Sequence, residues 1–169
     1  MLQVLAVLKP PQPIQRQLAS LRARYGFDES YAADRFHNTL FTLGNADVWD
    51  EPALDRLRRF LGMAEFDPFE VAFDRVDGRV LWARPGLSAP AQFQRLLRRY
   101  AALCGIPLPG YTFDLHVTLA YTGVRLGGVR KIAPISWLAE EFLLIRSGDG
   151  EHKELGRWPL VRRQYALAL

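Results

Sequence analysis

The sequence is poor in several residues that commonly carry chemistry. Cysteine occurs once in 169 residues, at Cys104, so an intramolecular disulfide is impossible and a cysteine-rich zinc site is excluded; such a chain suits a reducing compartment. Histidine occurs three times, at His37, His116 and His152. Lysine is equally scarce, at Lys9, Lys131 and Lys153, against 19 arginines. The apolar run Leu2 to Leu8 ends at Lys9-Pro10-Pro11. It is too short for a flanked signal segment and far below the roughly 20 residues of a membrane span. It reads as a buried strand, and the sequence predicts a cytoplasmic protein without a membrane partner.

What is present points to a full core. Hydrophobic residues make up 49% of the chain and charged residues 24%, with a net charge of +4, which fits one globular domain spanning residues 1–169. Arginine's planar fork suits phosphate, so an anionic ligand gains weight, although an exposed arginine also serves as a solvated face.

The periodicity predicts alternating helices and strands. Leu2 to Leu8 is followed by a helix running from the proline cluster to Tyr25, with Ile14, Leu18, Leu21 and Tyr25 as its apolar stripe. Arg35 to Leu43 is β-rich, and Asp50 caps a helix carrying Leu54, Leu57 and Leu61. Phe69 to Arg75 alternates, and Asp77-Gly78 turns it into Val80 to Ala83. Ser88 caps a helix reaching Leu103, Thr112 to Thr122 is a second β-rich run, and Gly123 to Lys131 reads as a loop. Glu141 to Arg146 and Lys153 to Val161 form a closing hairpin around Ser147 to Gly150. No linker separates two domains, so the chain reads as two lobes of one α+β domain.

Two of the three histidines share one tetrapeptide pattern: His37-Asn38-Thr39-Leu40 and His116-Val117-Thr118-Leu119. With five Thr and 26 Leu in the chain, a histidine followed at +2 and +3 by Thr and Leu arises by chance about once in 200 trials. Along a strand the imidazole and the hydroxyl project from one face, about 6.5 to 7 Å apart, and the leucine points to the other. Two such strands across a cleft present two imidazoles and two hydroxyls to one ligand. That set suits in-line displacement at phosphorus, with one histidine taking a proton from water and the other protonating the leaving oxygen. The threonines would donate to the non-bridging oxygens. No histidine or cysteine spacing typical of a zinc site occurs, so no metal or cofactor is expected. His152 reads as a surface residue at a hairpin tip, and Trp82 as the one tryptophan whose strand borders the cleft.

At these residues the chain resembles the 2H phosphoesterase superfamily, named for its paired His-x-Thr-hydrophobic motifs, and within it the RNA 2′,3′-cyclic phosphodiesterases also called 2′-5′ RNA ligases. The similarity extends to the opening strand and its prolines, Val80-Leu81-Trp82, Ile145-Arg146-Ser147 and Trp158-Pro159-Leu160. It implies a bilobal α+β fold with two pseudo-symmetric antiparallel sheets, flanked by helices, around a central cleft. It implies metal-independent hydrolysis of 2′,3′-cyclic phosphate ends of RNA or nucleotides to 2′-phosphates. The protein is expected to act as a monomer, and 2′-5′ RNA ligation, as the reverse reaction in water, is expected to be minor. A small-molecule cyclic phosphodiesterase, acting for instance on an ADP-ribose cyclic phosphate, and a catalytically inactive nucleotide- or RNA-binding module are the alternatives.

Many members carry an arginine shortly after a motif, where this sequence has Phe41 and Tyr121. By simple alternation Phe41 faces the cleft with His37 and Thr39 and could stack on a base, whereas Tyr121 faces the core. Charge to hold phosphate is then expected from Arg35, Arg125, Arg130 and Lys131. The resemblance implies that the first-motif histidine is the acid and the second-motif histidine the base. The local sequence suggests the reverse, because Arg35 would disfavour charge on His37 and Asp114 would favour it on His116.

Overall fold

The computed structural model describes residues 2–105, 108–110, 112–148 and 150–161. In chain order the elements are β1 (Gln3–Leu8), α1 (Gln12–Arg24), a 3-10 turn (Ala33–Arg35), β2 (Asn38–Asn45), a second 3-10 turn (Ala46–Val48) and α2 (Glu51–Leu61), then β3 (Phe69–Asp77), β4 (Val80–Ala83), α3 (Ser88–Leu103), β5 (His116–Thr118), β6 (Arg130–Ala139), β7 (Glu141–Gly148) and β8 (Glu151–Pro159). They form two four-stranded sheets, ordered β2-β1-β7-β8 and β5-β4-β3-β6, and every pairing is antiparallel. This is the expected α+β architecture with two lobes.

The lobes are not the two halves of the chain. The second sheet uses the middle of the sequence, and the closing hairpin β7–β8 returns to pair with β1 in the first. Each motif strand, β2 or β5, thus sits at the edge of its own sheet. One large core runs beneath both sheets and the helices, with Leu18, Leu57, Phe73, Phe93, Leu97 and Phe142 fully enclosed. A separate small cluster, Leu5 and Val7 of β1 with Leu143 and Ile145 of β7, lies on the opposite face of the first sheet. Each of these side chains contributes roughly 1.5–3 kcal/mol by burial.

Two local readings change in three dimensions. The residues after the second motif include a ten-residue strand, β6, where the sequence suggested a loop to Lys131 and no strand beyond it. Its weak apolar alternation and Pro134 fit an edge strand, which tolerates a missing N–H. Ser88 opens α3 as a helical residue after Leu87 and does not cap it, whereas Asp50 caps α2 as expected by accepting from the Ala53 amide at 2.7 Å. Asp149, in the predicted closing turn, lies outside the described residues.

Candidate active site

A bulge in β2 shapes the first half of the site. Val7 pairs with Thr39 and Ala6 with Phe41, so Leu40 is an extra residue against β1. An extra residue breaks the period of two. Leu40 and Phe41 therefore both enter the core, each fully buried, and Thr39 and Thr42 both reach the cleft opposite Val7 and Leu5. Phe41 is thus a core residue and offers no face to a base, contrary to the alternation reading.

His37, Thr39, His116 and Thr118 line one cavity of about 320 Å³, together with Gln3, Leu5, Thr42, Tyr121 and Ser147. The two imidazoles are held in the same way. His37 Nδ1 lies 2.8 Å from the carbonyl oxygen of Arg35, and His116 Nδ1 lies 2.7 Å from that of Asp114. A carbonyl can only accept, so each Nδ1 carries the hydrogen. In the neutral form each Nε2 then keeps a free lone pair, available to take a proton. It is therefore the main chain of Asp114, and not its carboxylate, that holds His116.

Asn38 joins the two motifs. Its side-chain amide, fully buried, donates to the main-chain carbonyl of His116 at 2.8 Å. The two edge strands are thereby tied across the seam between the sheets.

Around His37 the support is dense. Tyr31 Oη donates to the Arg35 carbonyl at 2.6 Å and lies 3.3 Å from His37 Nδ1. The buried Arg22 of α1 donates to the Tyr31 carbonyl and stacks over Phe36. Lys9 Nζ pins the turn before the motif by donating to the Asp34 carbonyl at 2.8 Å. Arg35 lays its guanidinium over the Tyr31 ring, 4.8 Å from its centroid. Burial lowers the pKa of His37 below the ordinary imidazole value, reinforced by the positive charge of Lys9 and by His116 and Arg35.

His152 is not a free surface residue. The register of β8 places it opposite Ser147, and its ring meets His37 edge-on with centroids 4.9 Å apart. Desolvation, then the neighbouring His37, Arg35 and Lys9, pushes its pKa down to about 3. On the other side Trp82 packs against His116 with centroids 5.2 Å apart, because Trp82 and His116 are partners across β4 and β5.

The remaining expectations divide. Arg35 is in the site through its carbonyl and its charge. Tyr121 is 61% exposed and lines the cavity instead of facing the core. Arg130 and Lys131 begin β6, at the edge of the second sheet farthest from β5. Three strand spacings of about 4.8 Å separate them from His116, and they do not line the histidine cavity. Among the described residues no group of three or more His, Cys, Asp or Glu side chains is gathered so as to hold a metal ion, and no helix is long and apolar enough to cross a membrane.

The family model described as the 2′-5′ RNA ligase superfamily matches residues 10–151. The chain belongs to the 2′-5′ RNA ligase superfamily. No curated protein matches it in sequence, but solved structures match it over nearly its whole length. LigT of E. coli, crystallised with 3′-AMP, is 24% identical with a TM-score of 0.74, over 95% of this chain and 98% of LigT. A protein described as a phosphoesterase is 25% identical with a TM-score of 0.72, over 96% of this chain and 100% of its own. TT0787 of Thermus thermophilus is 18% identical with a TM-score of 0.71, over 96% and 100%. The paired motifs of this 2′-5′ RNA ligase superfamily member, the 2H phosphoesterase signature, are thus set in the bilobal fold expected of them. Sequence reading missed Tyr31, Asn38 and His152. The period-two rule could have flagged Asn38, a polar residue at an inward position; nothing local marked the other two.

Proposed function

We propose that the protein hydrolyses 2′,3′-cyclic phosphate ends of RNA or nucleotides to 2′-phosphates, without a metal, by proton transfers between two histidines. The observation that carries this reading is the matched anchoring of His37 and His116, each with Nδ1 on a main-chain carbonyl, on one cavity shared with both threonines. His37 immediately precedes β2 and His116 opens β5, the edge strands of different sheets, which suits groups that must act on opposite sides of one phosphorus.

The depressed pKa of His37 favours its neutral form near neutrality, so His37 is assigned as the base and His116 as the acid. A water enters in line with the 3′ oxygen, His37 Nε2 takes its proton, and the new P–O bond forms as the P–O3′ bond breaks. His116 in its protonated form gives its Nε2 proton to the departing O3′, leaving a 2′-phosphate and a 3′-hydroxyl. Thr39 and Thr118 donate to the non-bridging oxygens as charge gathers there. Positioned acid–base catalysis of this kind contributes about 10²–10⁴-fold. An enzyme speeds both directions, so 2′-5′ ligation is the minor reverse reaction in water. All four groups belong to one chain, consistent with action as a monomer, and the lone thiol of Cys104 is consistent with the cytoplasm.

The test is product analysis. Incubating a nucleoside 2′,3′-cyclic phosphate with the protein in the presence of a chelator should yield the 2′-phosphate alone, and His116→Ala should lose turnover. Saturable binding without product between about pH 5 and 8, or undiminished turnover by His116→Ala, overturns the reading.

A further inference from the structure

Beyond Thr118 the cleft continues. A second cavity of about 370 Å³ shares Thr118 and Tyr121 with the histidine cavity and is bounded by Trp82, Arg79, Arg125 and Asp77. Val80 and Trp82 pair with Thr118 and His116 across the two strands, so the floor of this cavity is continuous with the second motif.

Its walls have the makings of a nucleotide site. Tyr121 is 61% exposed, yet it is held from several directions. Arg79 donates to its carbonyl at 2.9 Å and to that of Gly123 at 3.3 Å. The Thr122 hydroxyl donates to the Asp28 carboxylate, Gly123 bridges to Phe27, and Tyr31 meets the Tyr121 ring edge-on at 5.0 Å. A fixed aromatic face left open to water is a stacking platform, and Trp82 supplies a second aromatic wall. Arg125 lies across the β3–β4 turn at Gly78, where an added Cβ would come within 2.9 Å of its Nε. The glycine serves both the turn, at φ +61°, and the close approach of the guanidinium. Among the described residues Arg79 and Arg125 form no ion pair with a carboxylate. Asp77 is the one acidic group on the rim.

We infer that this second cavity binds the penultimate nucleotide of a single-stranded RNA whose terminal nucleotide occupies the histidine cavity, its base on Tyr121 or Trp82 and its phosphate on Arg125. The inference rests on the reading of the histidine cavity as the site for the cyclic phosphate. It makes an RNA end, and not a free mononucleotide or a small-molecule cyclic phosphate, the preferred substrate. Single-stranded RNA is read by splayed bases on aromatic faces with arginine along the backbone, which is the composition found here.

The experiment compares a nucleoside 2′,3′-cyclic phosphate with a dinucleotide carrying the same cyclic end. In the native protein kcat/KM should favour the dinucleotide by about tenfold or more, the scale of a hydrogen bond between a charged donor and the linking phosphate. In Arg125→Ala that ratio should collapse toward one, mainly through the dinucleotide's KM, and its salt slope should fall by about 0.7. Calorimetric titration with a mononucleotide and a dinucleotide 3′-phosphate, on both proteins, reports the second site whether or not hydrolysis occurs. Tighter dinucleotide binding that is lost in Arg125→Ala supports the inference even if no substrate turns over, which would fail the hydrolytic reading alone. Equal binding of the two ligands by the native protein, or a preference that Arg125→Ala leaves intact, overturns it.

Discussion

The side chain of Asn38 donates to the backbone carbonyl of His116, joining the two motif strands at 2.8 Å. Removing a buried donor leaves its acceptor unsatisfied, which costs about 1–3 kcal/mol. Asn38→Ala should therefore lower the melting temperature and reduce kcat more than it raises KM, because the two imidazoles lose a shared reference point. A melting curve with matched kinetics checks both, and an unaltered melt would show that the bond does not tie the sheets.

The acid and the base can be separated by the leaving group. His37→Gln and His116→Gln should each reduce kcat by about 10²–10⁴. A substrate with an activated leaving group needs no proton from the enzyme, so it should restore the variant that lacks the acid, here His116→Gln. Restoration of His37→Gln instead would reverse the assignment made from the depressed pKa of His37.

Stability should fall in mild acid through His152. An imidazole whose pKa drops from 6.5 to about 3 on folding resists protonation in the native state while the unfolded chain accepts it. Its contribution is complete above about pH 6.5 and is lost as pH falls toward 3. His37 acts in the same direction. Lys9 and Arg35 supply the facing positive charge. Denaturant melts between pH 7 and 4 should show a shallower decline for His152→Gln than for the native chain, and equal slopes would count against the packed, neutral ring.

Phe41 offers a test of the bulge. Phe41→Ala should destabilise the protein by about 3–5 kcal/mol, as removal of a buried aromatic does. Phe41→Leu should fold and keep the native KM, whereas a base-stacking residue would raise KM on the same change.

The threonines should act on the transition state. Thr118→Val and Thr39→Val each remove a hydroxyl from the cavity and should reduce kcat with a smaller effect on KM, by up to about 10²-fold for a single oxyanion donor. Steady-state kinetics at saturating substrate decide this.

The sequence by itself determined the family and most of the elements. The paired His-x-Thr-Leu motifs, the apolar stripe of α1, the Asp50 cap and the Asp77-Gly78 turn are local patterns, and local patterns obey the chain's own periods of 3.6 and 2. Where a period breaks, sequence reading fails. One extra residue at Leu40 reverses the faces of the residues after it, so Phe41 is buried and Thr42 reaches the cleft. Strand β6 escaped because an exposed edge strand needs little alternation, and Arg130 and Lys131 went with it to the far edge of its sheet. The tertiary structure alone brought two motifs far apart in the chain, at His37 and His116, to one cavity and set His152 against His37. Those contacts depend on which strands pair and in what register, a property of distant segments packing together that no short stretch of sequence encodes.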